Sequence, residues 1–387
     1  MRLVFICSGL EPGRDGVGDF ARTLARECAA AGHSVRLAAV RDEQIRESTP
    51  AAPNELRLRD IFRHPEEMQA LALWLREFNP DWASVQYTPF GFHPRGLGGR
   101  RAVVLRHPLP VTTHRHIMLH EIWLQPGVDG ALRHRALGWA QRRSVDAWTG
   151  PGWQPAVVHT QARLHQARLQ ARGVDAKLLP LCTAFKEPAV NQAIARANLL
   201  EWLKPGDKRI AESGYWLGHF GAFHPQNWDF TAFAQRVAAQ PKLAGRRPCF
   251  LALGRSAAAK EAFAQAGAAV KAADFLVVGE LTEDKVPIAM RACDTAFTST
   301  PWDIIEKSSA VAAWRALDVP VLVTRAGATD ASELPPWPDP GLILVGGNAE
   351  FYLPGRGELE PPPTFLFPEE TARIFLAALS AAPGSAP

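Results

Sequence analysis

The residues best suited to chemistry stand almost at the start of the chain. Glu11-Pro-Gly-Arg-Asp-Gly-Val-Gly-Asp-Phe20 follows an apolar run, Leu3-Val-Phe-Ile-Cys7, and precedes a helical pattern with Phe20, Leu24, Ala25 and Cys28 on one face. A strand, a glycine-bearing turn and a helix offer backbone N–H groups to an anion or a sugar hydroxyl. Gly13, Gly16 and Gly18 leave room for a ligand to lie against the backbone and permit positive φ. Asp19, in the first helical turn, is favoured there by the helix dipole whether or not it meets a ligand. The spacing is not the G-x-G-x-x-G of dinucleotide folds, and the turn also reads as a tight connection with no ligand. A second group, His114, His116 and His120 followed by Glu121, ends a strand-like stretch and reads as including exposed loop histidines.

These residues need elements to hold them. From Met1 to about Leu181 apolar runs of strand length alternate with helical patterns: 33–40, 82–87, 111–120, 156–160 and 177–181 as strands, 17–31, 66–78, 131–147 and 162–172 as helices. A polar, partly helical connector over 183–213 leads to a second series. There the strands are 215–223, 248–254, 275–279, 295–299, 319–324 and 341–345, with helices between them and an amphipathic helix over 369–380. This rhythm predicts an α/β fold: two doubly wound Rossmann-like domains facing a cleft, each with a mostly parallel sheet. With 387 residues two domains are the expected number. Their boundaries are set at 1–205 and 206–366, with a C-terminal helix and tail over 367–387 crossing back to the N-domain. In such sheets ligands bind beyond the carboxyl ends of the strands. The loops 11–18, 88–93, 114–121, 219–228, 254–256, 279–283 and 300–308 all lie at such ends.

Composition narrows the class. Apolar content of 47% with 21% charged residues is ordinary for a water-soluble globular chain. The net charge of +4 is spread over isolated arginines, which suits an anionic substrate or a membrane surface and points away from nucleic acid. Five cysteines, far apart and with no C-x-x-C or Cys/His zinc spacing, read as buried free thiols of a reducing cytosol, with no metal site. The N-terminus reads directly into a strand and no run of 18 apolar residues occurs, so a cytoplasmic protein is expected. The basic helix carrying Arg133, Arg135, Arg142 and Arg143 around Leu132, Leu137 and Trp139 is either an ordinary exposed face or a peripheral membrane contact.

Several of these segments, in this order, resemble retaining glycosyltransferases of the two-domain GT-B fold, within or near glycosyltransferase family 4. The similarity rests on Gly16-Val-Gly18 after the first strand, on His120-Glu121 after a later one, and on Thr298-Ser-Thr300, Glu306-Lys-Ser-Ser309 and Asp318-Val-Pro-Val-Leu-Val323. The resemblance implies that His120 and Glu306 are the catalytic-centre residues, His120 beside the donor sugar and Glu306 accepting hydrogen bonds from its hydroxyls. Gly16, Val17 and Gly18 then face the donor. Glu280 and Leu281 lie in the nucleotide-base region, and Asp19 or Glu121 orients the acceptor.

A departing diphosphate gains negative charge as the glycosidic bond breaks and needs cations or aligned N–H donors. Arg255, Lys307 and the amides of Ser308 and Ser309 at a helix start are the candidates, with Arg14 reaching from the opening loop. Two departures stand out. Eight positions after Glu306, where the family has a second glutamate for the ribose, this chain has Trp314. After the first strand of the second domain, where the family has an arginine and a lysine, it has Gly221-Ala-Phe-His-Pro-Gln-Asn227.

The expected function is therefore transfer of a sugar from a nucleotide-sugar donor to an acceptor (glycan, glycolipid or small molecule), with retention and without metal. No cofactor is implied, the nucleotide sugar being the substrate. Two alternatives remain at this level. One is a sugar-nucleotide epimerase, or a non-catalytic protein, of the same fold. The other is a dehydrogenase-type nucleotide binder, for which Asp42 after the second strand is the nearest ribose-binding carboxylate.

Overall fold

In a computed structural model, residues 1–124, 132–183, 185–212, 214–223, 228–240, 245–327, 339–345, 353 and 366–382 are described. The chain forms two compact units, Met1–Pro180 with Pro368–Pro387, and Leu181–Phe367.

Unit 1 contains strands β1 (Arg2–Cys7), β2 (Ser34–Ala39), β3 (Thr49–Ala52), β4 (Glu55–Arg57), β5 (Trp82–Tyr87), β6 (His114–Leu119), β7 (Val157–Thr160) and β8 (Ala176–Leu178). Its first six helices are α1 (Gly16–Ala30), α2 (Pro65–Phe78), the single turn α3 (Pro89–Phe92), α4 (Gly99–Arg106), α5 (Leu132–Thr149) and α6 (Arg163–Gln170). The strands lie in the order β3-β4-β2-β1-β5-β6-β7-β8, parallel except for the β3–β4 hairpin. Alternation sorts the strand residues by face. Val4, Ile6, Ala83, Val85, Tyr87, Ile117 and Leu119 pack with Leu71, Leu75, Leu105 and Trp148 in one apolar core. The opposite face carries Phe5, Ser84, Gln86, His116 and His159, all at most 2% exposed. Helix α1 and the terminal helix pack on each other and cover this second face.

Unit 2 contains β9 (Tyr215–Phe220), β10 (Pro248–Leu253), β11 (Asp274–Gly279), β12 (Thr295–Thr298), β13 (Val321–Val323) and β14 (Leu342–Leu344), all parallel, in the order β11-β10-β9-β12-β13-β14. Its helices are α7 (Gln192–Trp202), α8 (Pro205–Glu212), α9 (Phe230–Ala238), α10 (Ala257–Ala269), α11 (Lys285–Ala292), a 3-10 helix Trp302–Lys307, and α12 (Ser309–Ala316). One face packs α7, α11 and α12 over Trp216, Leu251 and Val321. The other is a cluster of aromatic rings under α9 and α10, including Phe250 stacked on Phe275 at 5.0 Å and Phe230 on Phe263 at 5.1 Å. Two doubly wound α/β units are thus present.

The chain divides at Pro180/Leu181 rather than at 205/206, because the connector helix α7 packs on α11 and so belongs to unit 2. The β3–β4 hairpin and α4 occupy segments to which the sequence reading gave no strand or helix. The histidines at 114 and 116 lie in β6, not in a loop, and His116 is completely buried. All five cysteines are buried thiols.

The terminal helix α13 (Pro368–Ser380) is anchored in unit 1 by Phe375, wholly buried between Phe5 and His116, with ring centroids 5.7 and 5.1 Å away. Phe375→Ala is expected to lose about 3–5 kcal/mol of stability, read as a lower denaturant midpoint, and Phe375→Leu a smaller part of that.

Candidate functional site

In each unit the sheet order reverses beside its first strand, between β1 and β5 in unit 1 and between β9 and β12 in unit 2. The loops at the carboxyl ends of these strands are where an open α/β sheet takes its ligands.

In unit 1 the turn after β1 is held by inward-facing carboxylates. Asp15 is the N-cap of α1, and its Oδ1 accepts from Val17 N and Gly18 N at 3.0 and 3.1 Å. The N–H groups of Val17 and Gly18, expected to face a donor, thus serve the helix cap, while Gly16 begins the helix with open space around it. Gly18 lets α1 close on β1, since a Cβ there would stand 2.9 Å from the Gly9 carbonyl oxygen. Asp19, assigned to the acceptor side, accepts from Gly13 N at 3.1 Å. Arg14 reaches Gln44 at 3.4 Å.

Beneath the turn, Asp42 is 1% exposed and accepts from Arg57 Nε at 2.7 Å, Leu10 N at 3.2 Å and Gln44 N at 3.1 Å. Arg57 also pairs with Glu11, and Arg22 bridges Glu55 and the Leu10 carbonyl. Asp42 is therefore a buried clamp, which removes the ribose-binding carboxylate that a dehydrogenase reading needs. Burial raises the pKa of Asp15 above the ordinary carboxyl value, opposed by the two amides it accepts from.

His120 follows β6 directly and is 4% exposed. Its Nε2 lies 2.9 Å from Gln86 Oε1, and Phe20 of α1 packs edge-on against its ring at 5.2 Å. From Gln86 a line of polar groups runs across the sheet: Gln86 Nε2 to Ser84 Oγ at 2.7 Å, Ser84 Oγ to His116 Nδ1 at 2.7 Å, and His116 Nε2 to His159 Nδ1 at 3.0 Å. Burial holds the His116 imidazole well below its usual pKa, and lowers that of His159 to about 4, with Lys177 adding to the effect. Glu121 is the next residue and is half-buried. Sequence reasoning missed Ser84, Gln86 and His159. The available signal was polar side chains at alternate positions of strands that are otherwise apolar.

In unit 2 the candidates fall into two places. Arg255 and Glu280, after β10 and β11, form an exposed ion pair at 3.6 Å, and Leu281 packs at the edge of the apolar core. Such a pair is weak and open to exchange for another partner. Glu306, 8% exposed, and Lys307 end the 3-10 helix after β12. Ser308 caps α12, its Oγ accepting from Val311 N at 3.3 Å, while its own N–H goes to the Ile305 carbonyl at 3.1 Å. The amide of Ser308 is thus used within the fold. The helix-terminal N–H groups left by α-helical geometry are those of Ser309 and Ala310. Ala310 had not been anticipated. It abuts Gly221 at the end of β9, where φ is +90° and an added Cβ would lie 3.4 Å from its methyl.

Trp314 points the other way, buried over Gly218 in the core, so no side chain of α12 takes the place of the ribose-binding glutamate. Residues 224–227, where the family's cations would fall, lie outside the described residues. Among the described residues no group of three or more His, Cys, Asp or Glu is placed to hold a metal ion.

No family model matches the chain, and no curated protein matches it. Solved structures do. A Listeria monocytogenes protein described as a UDP-N-acetylglucosamine 2-epimerase is 13% identical, with 98% of this chain and 96% of that one covered and a TM-score of 0.53. WaaG, a glycosyltransferase involved in lipopolysaccharide biosynthesis, is 11% identical over 98% and 90% of the two chains, with a TM-score of 0.48. A glycosyltransferase from Rickettsia africae ESF-5 is 11% identical over 85% and 80%, with a TM-score of 0.47. The likeness to the Listeria monocytogenes protein, at this identity, is one of fold, that of GT-B proteins with two Rossmann-like α/β units.

The cap gives a direct check on the opening turn. Asp15→Ala should cost about 0.5–2 kcal/mol, whereas Asp15→Asn keeps a capping oxygen and should cost little at low pH. A carboxyl whose folded pKa is raised stabilises most when protonated, and that contribution is lost as pH rises from its unfolded value through the folded one. Thermal unfolding from pH 3 to pH 7 should therefore show Asp15→Asn gaining on the wild type as pH rises.

Proposed function

We propose that the protein is a glycosyltransferase that moves a sugar from a nucleotide-sugar donor to an acceptor hydroxyl, with retention and without a metal requirement. The observation that carries this reading is the start of α12. It places Glu306, Lys307 and the N-terminal amides of Ser309 and Ala310 at the carboxyl end of β12, beside the Gly221 turn of β9. A helix N-terminus beside a lysine is suited to a diphosphate whose charge grows as the anomeric C–O bond breaks. Glu306 is assigned to the donor-sugar hydroxyls, Arg255 to the diphosphate, and Glu280 and Leu281 to the nucleotide-base end. His120 is assigned to the sugar at its reacting centre, with Glu121 on the acceptor side.

Peripheral membrane contact fits the same reading. Leu132 and Trp139 of α5 are 81% and 57% exposed beside arginines, Arg143 lying 4.5 Å over the Trp139 ring, as a helix resting on an anionic surface requires. No described helix is long and apolar enough to cross a membrane.

A second reading, a sugar-nucleotide epimerase of the same fold, is favoured by one observation. Trp314 is committed to the core, so the ribose contact expected of the transferase family has no counterpart in α12.

A panel of nucleotide sugars followed by thermal shift and by product analysis tests both. Donor-dependent stabilisation with sugar transferred or hydrolysed supports the transferase. Inversion of the sugar with the nucleotide still attached supports the epimerase. A shift with NAD(P) alone would sink both. His120→Ala and Lys307→Ala are each expected to lower kcat by about 10²–10³-fold; Lys307→Ala should leave the melting temperature near that of the wild type, whereas His120→Ala, which strands the buried Gln86 amide, should also lower it.

A further inference from the structure

The polar line across unit 1 has a direction. Gln86 turns its amide oxygen to His120 Nε2 and its amide nitrogen to Ser84 Oγ. An amide oxygen only accepts, so His120 carries its proton on Nε2; an amide nitrogen only donates, so Ser84 Oγ accepts from it. The single O–H of Ser84 then goes to His116 Nδ1, and a neutral His116 holds its own proton on Nε2, which donates to His159 Nδ1. All four bonds point the same way, from His120 towards His159.

Two aromatic rings close on the line. Phe375 of α13 packs on the His116 ring and Phe20 of α1 on the His120 ring, and neither ionises. Besides burial, His116 feels the charges of His159 and His120, and His159 that of Lys177. Both sources disfavour protonation of the inner imidazoles, which keeps each of them a one-donor, one-acceptor link. The five side chains are between 0% and 4% exposed. At that burial a reversed or broken link would leave two donors, or two acceptors, facing each other without water.

We propose that Gln86, Ser84, His116 and His159 are positioning residues that hold His120 as the Nε2–H tautomer, with its ring lone pair on Nδ1. Resting on the transferase reading, this presents one tautomer and one orientation of His120 to the sugar before substrate arrives. The tautomer itself does not depend on that reading.

The test uses the full chain with 15N-labelled histidine, long-range 1H–15N correlation spectra at neutral pH, and His120→Gln to identify the His120 signals. The expected result is an unprotonated Nδ1 and a protonated Nε2 for His120, and the same pattern for His116. Ser84→Ala removes the hinge of the line and should turn both residues into tautomer mixtures. Gln86→Glu places a carboxylate on His120 and should raise its titration midpoint by about one unit or more. If the donor panel reveals turnover, Ser84→Ala should lower kcat about tenfold or more with KM unchanged. Gln86→Glu should move the acidic limb of the pH profile upward.

A wild-type His120 with its proton on Nδ1, or with a mixture of tautomers, overturns the proposal. So does a folded Ser84→Ala variant with unchanged His120 signals. Should either variant fail to fold, the wild-type spectrum alone decides. A protein with no turnover but the expected tautomer would refute the transferase reading and leave the positioning intact.

Discussion

The buried carboxylate of Asp42 is what the amino-terminal turn depends on. It sits 1% exposed at the end of β2, where it accepts the Arg57 guanidinium from the end of β4 and the Leu10 amide from the turn after β1. Three chain segments meet at one side chain. Removing one partner of such a pair leaves a charge stranded in an apolar setting, which costs far more than the pair contributes when complete. Arg57 continues to Glu11, and Arg22 ties Glu55 to the Leu10 carbonyl, so the whole approach to α1 is fixed by side chains turned inward. The glycines of the turn matter mainly because they allow this close approach. Gly18 against the Gly9 carbonyl is the clearest case.

The two units solve the same architecture with different interiors. Unit 2 fills one face of its sheet with phenylalanine rings in mutual contact, with His219 of β9 buried among them. There the start of α12 stands at the reversal of strand order. Unit 1 keeps one face apolar and gives part of the other to a buried polar line ending at His120. A buried polar network is tolerated only when every member is satisfied, and then it specifies one arrangement of side chains. Unit 1 thus invests its polar interior in the orientation of one imidazole, while unit 2 offers backbone amides and a lysine at a helix end.

Much of this was legible in the residue order. Alternating apolar runs and helical periods located β1, β2, β5, β7, β9 to β14 and most helices to within a few residues, and with them two α/β units. The sheet was expected to be mostly parallel, and the short β3–β4 hairpin escaped because its residues are polar and proline-containing. The connector was split at 205/206, because only the packing of α7 on α11 shows which core it completes. Residue type and order singled out His120 and the Glu306–Ser309 segment as candidates. Gln86, Ser84 and His159 were not singled out, since with His116 they come from three strands that only the sheet register brings into line.

The sequence by itself determined the class of fold, the strand ends at which an open α/β sheet takes its ligands, and the residue types available there. Local periodicity and the stop signals of glycine and proline carry that information over short distances. Only the tertiary structure decided which of those groups are already spent. The amides of Val17, Gly18 and Ser308, like the carboxylates of Asp15, Asp19 and Asp42, have partners within the fold, whereas helix geometry leaves Ser309 and Ala310 as the N-terminal donors of α12. Hydrogen-bond satisfaction is a property of neighbours in space. The opening glycine turn, read in sequence as a cradle for a ligand, is in the folded chain a carboxylate-capped scaffold beside His120.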